Sequence, residues 1–172
     1  QGFAVYEQRH AIKNDCKNFR YFITEKKYSE MKRFSVNPRD IIMSCSGTIG
    51  KTTIVPDSAP EGIINQALLK ITPSAKIDAN YLKRYMDSEL FIEQVMATAG
   101  GAAIRNVASV KTLENIDIQL PSMQEQKRII VKIDEVFKEI ESIQFSTADC
   151  KDNYESLKST LLRQELTPEK AA

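Results

Sequence analysis

The segment Gly47-Thr-Ile-Gly50-Lys51-Thr52 carries the strongest hint of phosphate chemistry in the chain. A glycine turn closed by Lys-Thr cradles nucleotide phosphates in the pattern GxxxxGK[ST], where the loop opens a helix. Here the first glycine of that pattern falls at Cys45, and the turn runs into Thr53-Ile54-Val55-Pro56, which is β-prone and closed by proline. Nucleotide binding is therefore rejected. His10 is the single histidine, has no evident nucleophile partner and reads as a surface loop residue. Ser44 and Ser46 lack a GxSxG elbow, no GxGxxG follows a strand, and no Asn-Pro-Pro-Tyr-like element of an amino-methyltransferase appears. Cys16, Cys45 and Cys150 form no CxxC pair, which argues against structural zinc and for reduced thiols. No catalytic constellation, cofactor or metal is expected.

What remains is binding chemistry. Residues 1–60 carry ten Lys/Arg against six Asp/Glu, whereas residues 61–121 carry six against seven and residues 122–172 eight against ten. The excess positive charge thus sits in the first third, which is compatible with phosphate contacts and equally with a solvated charged face. Lys13, Lys17, Arg20, Lys26 and Lys27 form a basic segment interleaved with Phe19, Tyr21 and Phe22; a solvated face over an aromatic core is the equal alternative. Ser46, Thr48 and Lys51 flank the glycine turn and could donate to phosphates, with Gly47 and Gly50 serving backbone geometry. Arg105 and Asn106 suit guanine and adenine edges respectively. Asn65 and Gln66 read as amides holding a turn before a strand rather than as base readers.

The elements that must position these groups change period at Pro121. Before it, Ile41–Ser44, Thr52–Val55 and Ala67–Ile71 read as strands, residues 78–97 as one helix ended by Gly100-Gly101, and Ile116–Leu120 as a last alternating β-like run. After it, Ser122-Met-Gln-Glu125 fits a capping box. Ile129, Ile133, Val136, Ile140, Ile143, Thr147, Cys150, Tyr154, Leu157 and Leu161 then follow at alternating spacings of four and three, a coiled-coil heptad weak only at Thr147 and Cys150. Asp134-Glu135 falls on its solvent face. No Pro or Gly interrupts residues 123–166, so a helix of about 60 Å is expected. It exceeds what a domain of ~120 residues can cover, so its stripe calls for a partner helix. The alternative is a helix folded back on its own domain.

The expected fold class is α+β: a mixed, twisted, β-rich domain over residues 1–121, a long pairing helix over 122–166 and a tail at 167–172. Hydrophobic residues at 42% and charged residues at 27% fit a globular domain. No apolar stretch spans a bilayer and the first residues do not resemble a signal peptide, so no membrane association and a cytoplasmic location are expected.

Four stretches together resemble the specificity subunit of type I restriction–modification enzymes. They are Val5-Tyr-Glu-Gln-Arg-His-Ala-Ile12, Asp40-Ile-Ile-Met-Ser-Cys-Ser-Gly-Thr-Ile-Gly-Lys51, Gly62-Ile-Ile-Asn-Gln-Ala67, and Ile118-Gln-Leu-Pro-Ser-Met-Gln-Glu-Gln-Lys-Arg-Ile129, the last matching the family's junction between recognition domain and helix. Ser122 stands where that junction often has a second proline. The resemblance implies a target recognition domain that reads a half-site in double-stranded DNA, with modification (methyltransferase) subunits methylating adenine and restriction subunits cleaving. It also implies an antiparallel helix pair that sets the half-site spacing. The family's usual subunit holds two recognition domains and two helices, whereas this sequence has one of each. It is either part of such a subunit or a half-subunit that forms a homodimer. The competing class is a non-catalytic interaction module on a coiled-coil stalk, with no nucleic-acid role.

Overall fold

Short runs of β-branched and apolar residues set the strands, and each is long enough to cross a small sheet but no more. The computed structural model describes residues 2–46, 48–98 and 113–166, so Gly47, Arg105, Asn106 and the Gly100-Gly101 helix stop lie outside the described residues. It contains two compact units, the first ending at Ile130 and the second starting at Val131.

In the first unit, β1 (Phe3–Tyr6), β2 (Phe22–Ile23), β3 (Ser35–Val36) and β6 (Gly62–Ile64) form a sheet in the order β2-β1-β6-β3. The strands β4 (Ile41–Ser44), β5 (Thr52–Ile54) and β7 (Leu68–Ile71) form a second, in the order β5-β4-β7. β1 and β6 run parallel, Ala4 opposite Gly62, and the other pairings are antiparallel. An added Cβ at Gly62 would stand 2.0 Å from the Ala4 carbonyl oxygen, so the glycine is required by this close approach. Every residue of β4 is buried. Ile42 joins a cluster with Ala4, Tyr6, Ala11 and Val55, while Ile41 and Met43 join Met86, Phe91 and Val95. Both faces of this strand are covered, which is why it reads as a continuous apolar run rather than an alternation.

Two sequence expectations need correction here. Residues 78–97 form not one helix but two, α3 (Ala79–Met86) and α4 (Glu89–Thr98). Asp87 accepts from the Thr52 hydroxyl at 2.7 Å and the Lys83 ammonium at 2.6 Å, and the Ser88 hydroxyl donates to the Tyr85 carbonyl and accepts from the Phe91 N–H. The Ser88 hydroxyl thus serves backbone groups on both sides of the break, while the Asp87 carboxylate ties it to β5 and α3. The run Ile116–Leu120 joins no sheet. Its backbone is held instead by hydroxyls of α3, Tyr81 donating to the Gln119 carbonyl and Tyr85 to that of Asp117, each at 2.9 Å.

The long helix, α5 (Met123–Leu166), is continuous over 44 residues, about 66 Å at 1.5 Å per residue. Ser122 Oγ accepts from the Glu125 N–H at 3.3 Å, and the Glu125 carboxylate binds Arg128 at 2.6 and 2.8 Å, which lowers the carboxyl pKa. Gln126 is fully buried within the first unit. Its amide accepts from the Asp78 N–H at 2.8 Å and donates to the carbonyls of Lys76 (3.0 Å) and Pro121 (2.9 Å). In the second unit Val136, Ile140, Ile143, Tyr154, Leu157 and Leu161 are exposed, while Ile129 and Ile133 near the start of the helix are half-buried. The fold is α+β, as read from the sequence.

Candidate nucleic-acid interface

The first helix, α1 (Gln8–Lys13), begins directly after β1, so Glu7 and Gln8 stand where the strand leaves the sheet. Glu7 binds the guanidinium of Arg9 at 3.1 Å and that of Arg20 at 3.4 Å. One carboxylate thus balances two cations and leaves this rim net positive. Arg9 also donates to the Asn18 carbonyl. The Gln8 amide donates to both the hydroxyl and the carbonyl oxygen of Ser46, so two adjacent residues anchor Arg20 and the glycine turn to the same end of β1.

That turn is a hairpin connection, not a phosphate cradle. Met43 pairs with Thr52 across β4 and β5. The Ser44 N–H donates to the Lys51 carbonyl, the Gly50 N–H to the Ser44 carbonyl, and the Ser44 hydroxyl engages Thr48 and Lys51. The Gly50 and Lys51 amides therefore point into the turn. Gly50 has φ +80°, where a side chain would be strained. Ser46, Thr48 and Lys51 are exposed around it. A cleft of about 410 Å³ lies alongside, walled by Ile12 and Asn14 of the α1 region, Lys51, and Lys83 and Asp87 at the end of α3.

The basic segment does not stay together. β2 runs antiparallel to β1, with Ala4 opposite Phe22. Arg20, before β2, therefore lies at the Glu7 end of β1, whereas α2 (Glu25–Glu30), which carries Lys26 and Lys27, lies at the other end, where Tyr28 stacks on Phe3 with ring centroids 3.9 Å apart. Lys27 pairs with Glu30 at 3.1 Å. Lys13 closes α1 and Lys17 follows it, both exposed, as are Tyr21 and Phe22. Asn65 holds a turn by accepting from the Ala67 N–H.

His10 is not a surface residue: it lies within α1, 2% exposed. Nδ1 accepts from the Glu7 N–H at 2.8 Å and Nε2 donates to the Asn18 carbonyl at 2.8 Å, so local backbone satisfies both ring nitrogens. Phe19 packs on the ring. Sequence reasoning also gave no role to Arg9, or to Gln126 beyond its place in the junction. Both lie in stretches that carry the family resemblance, Arg9 in residues 5–12 and Gln126 in residues 118–129.

The groups on this rim suit phosphate oxygens and base edges: guanidinium, ammonium and hydroxyl donors on a fixed frame. They do not suit nucleophilic chemistry. Burial, then the charge of Asp15, pushes the Cys16 thiol up to about 11, and burial raises Cys45. Among the described residues no cluster of His, Cys, Asp and Glu could hold a metal ion, and no helix is long and apolar enough to cross a membrane.

Comparison with known proteins gives one family. The model of the type I restriction modification DNA specificity domain matches residues 1–147. The chain is 26% identical over 115 residues to the type I restriction enzyme EcoBI specificity subunit of Escherichia coli, covering 67% of this chain and 24% of the relative. It is 25% identical over 112 residues to the StySPI specificity subunit of Salmonella potsdam, covering 62% and 24%. In fold it is similar to a chain of a type I R-M system solved in a study of complex assembly and conformational transition, with TM-score 0.67, 17% identity and coverage of 95% of this chain and 38% of that one. It is similar too to the HsdS subunit from Thermoanaerobacter tengcongensis, with TM-score 0.52, 18% identity and coverage of 76% and 30%. The chain thus spans about a quarter of the length of these curated relatives. The match runs through both sheets, the Gln126 junction and the first half of α5, and the chain belongs to the family of type I restriction modification DNA specificity domains.

Proposed function

We propose that this chain reads one half of a split site in double-stranded DNA and directs a type I restriction–modification complex to it, without catalysis of its own. The observation that carries this reading is the family match over residues 1–147, which joins the domain and its helix as one module. Residues 1–121 act as the recognition domain. Arg20, Ser46, Thr48 and Lys51 position the phosphate backbone, together with Lys13 and Lys17, and base edges are read in the major groove, Arg105 and Asn106 among the readers. Lys26 and Lys27, at the other end of β1, reach phosphates on a different stretch of the duplex. Modification subunits supply methylation and restriction subunits supply cleavage, in the cytoplasm. Residues 122–166 form the spacer helix, which pairs antiparallel with a second copy through its exposed stripe and sets two recognition domains on a two-fold symmetric site.

The test is fluorescence anisotropy with random duplex DNA across a salt series, followed by selection of bound sequences from a randomised pool. Salt-dependent binding and enrichment of one sequence are expected, with co-purification of modification subunits. A chain that pairs with itself but retains no duplex at low salt would be an interaction module on a coiled-coil stalk instead.

A further inference from the structure

The stripe on α5 has a symmetry that the heptad alone does not require. Its spacings alternate, beginning and ending with four, so they read the same in either direction. A reversed copy can therefore be laid on the stripe with nothing left over. Resting on the antiparallel pairing proposed above, we propose that two copies align in one register, with the two-fold axis passing at Phe145, so that Ile140 of each copy packs on Cys150 of the other. The remaining layers are Ile129 with Leu161, Ile133 with Leu157, Val136 with Tyr154, and Ile143 with Thr147.

Registers one heptad away keep the alternation but leave two residues at one end of each stripe facing nothing. A shift one way strands Leu157 and Leu161, which are 60% and 49% exposed. A shift the other way strands Ile129 and Ile133 and sets Thr147 against Cys150, stacking the two weakest positions on one another. In the chosen register each of them meets an isoleucine. The Thr147 hydroxyl already donates to the Ile143 carbonyl of its own helix at 2.8 Å, so it enters the seam with its hydrogen bond made and its methyl free to pack. Cys150, exposed and unbridged in the single chain, behaves in a seam as a small hydrophobe. The flanks agree. Reversal sets e positions against e and g against g, which places Lys151 and Lys158 beside Phe137 and Ile130 of the second copy, and Lys132 and Glu139 beside Thr160 and Asn153. No like charges face each other.

Cys150 is a built-in reporter. In the full-length chain, Ile133→Cys, Ile140→Cys and Thr147→Cys each place a thiol opposite Cys150 in one of the three registers. Under mild copper-catalysed oxidation, Ile140→Cys should run mostly as a covalent dimer on a non-reducing gel, and Cys150→Ser in that background should abolish the band. Preferential cross-linking of Ile133→Cys or Thr147→Cys overturns the register, as does a band that survives Cys150→Ser. A cross-link in the unaltered chain signals parallel helices and overturns it too. Sedimentation of the same samples separates the two failures: a dimer without the Ile140–Cys150 bond has another register, whereas a monomer removes the pairing reading itself.

Discussion

The Gln126 side chain, one turn into the long helix, accepts a hydrogen bond from the Asp78 backbone N–H at 2.8 Å, which lies one residue before α3. Two more bonds from the same amide reach the carbonyls of Lys76 and Pro121. A single buried side chain therefore satisfies three backbone groups from two segments.

Gln126→Ala leaves those three groups buried without a partner, and a loss of about 2–4 kcal/mol is expected. Gln126→Glu keeps the acceptor for Asp78 but turns oxygens toward two carbonyls, so it should be no less damaging at neutral pH. Urea unfolding followed by circular dichroism checks both. A midpoint within error of the parent would mean that the amide contributes only position.

Ile140 is 42% exposed in the single chain, so Ile140→Asp should leave the fold intact and act only on pairing; Ile133→Asp, at a half-buried position nearer the start of the helix, should weaken pairing as well. A carboxylate in an apolar seam costs several kcal/mol, and association weakened at least ~100-fold is expected. Sedimentation equilibrium reads this directly, and an unchanged oligomer would count against pairing through the stripe.

If Arg20 and Lys51 contact phosphate, Arg20→Ala and Lys51→Ala should each lower the salt slope of DNA binding by about 0.9. Lys27→Ala tests the opposite end of β1. Should it change the slope while Arg20→Ala does not, the duplex lies along α2 rather than along the Glu7 rim.

Gly62→Ala drives a methyl into the Ala4 carbonyl across the parallel pair. Overpacking of this kind costs about 1–3 kcal/mol or more, and a lower thermal midpoint with reduced soluble yield is expected. Near-parental stability would mean that β1 and β6 can separate without penalty.

Burial raises the Cys16 thiol from 9.0 to about 11. Because the folded state holds this proton more tightly than the unfolded chain, the contribution to stability is complete below about pH 9 and is lost as pH climbs through about 11. Cys16→Ala should therefore lose less stability than the parent between pH 8 and pH 10.5. Urea midpoints at the two values measure the difference, and equal losses would remove Cys16 as the source.

The long helix was legible because its information is contiguous: the heptad repeats along neighbouring residues and nothing breaks it. β4 and the hairpin turn were legible for the same reason, an apolar run beside a glycine turn. The break at Asp87-Ser88 was not, because neither proline nor glycine marks it, and the partner that takes the Asp87 carboxylate, Thr52, lies far away in sequence. The parallel pairing of β1 with β6 leaves no local trace except Gly62. Gln126 was hidden by its type, since an amide on a charged helix reads as solvated. His10 was misplaced for the converse reason: its partners are backbone groups, which a search for side-chain partners cannot find.

Arg20 and Lys26, six positions apart in a row of letters, finish on opposite margins of one sheet because β2 doubles back along β1. A polyanion approaching either margin feels only a fraction of the cationic surplus counted for that third of the chain. Recognition on such a surface depends less on bulk attraction than on the angle from which the duplex arrives.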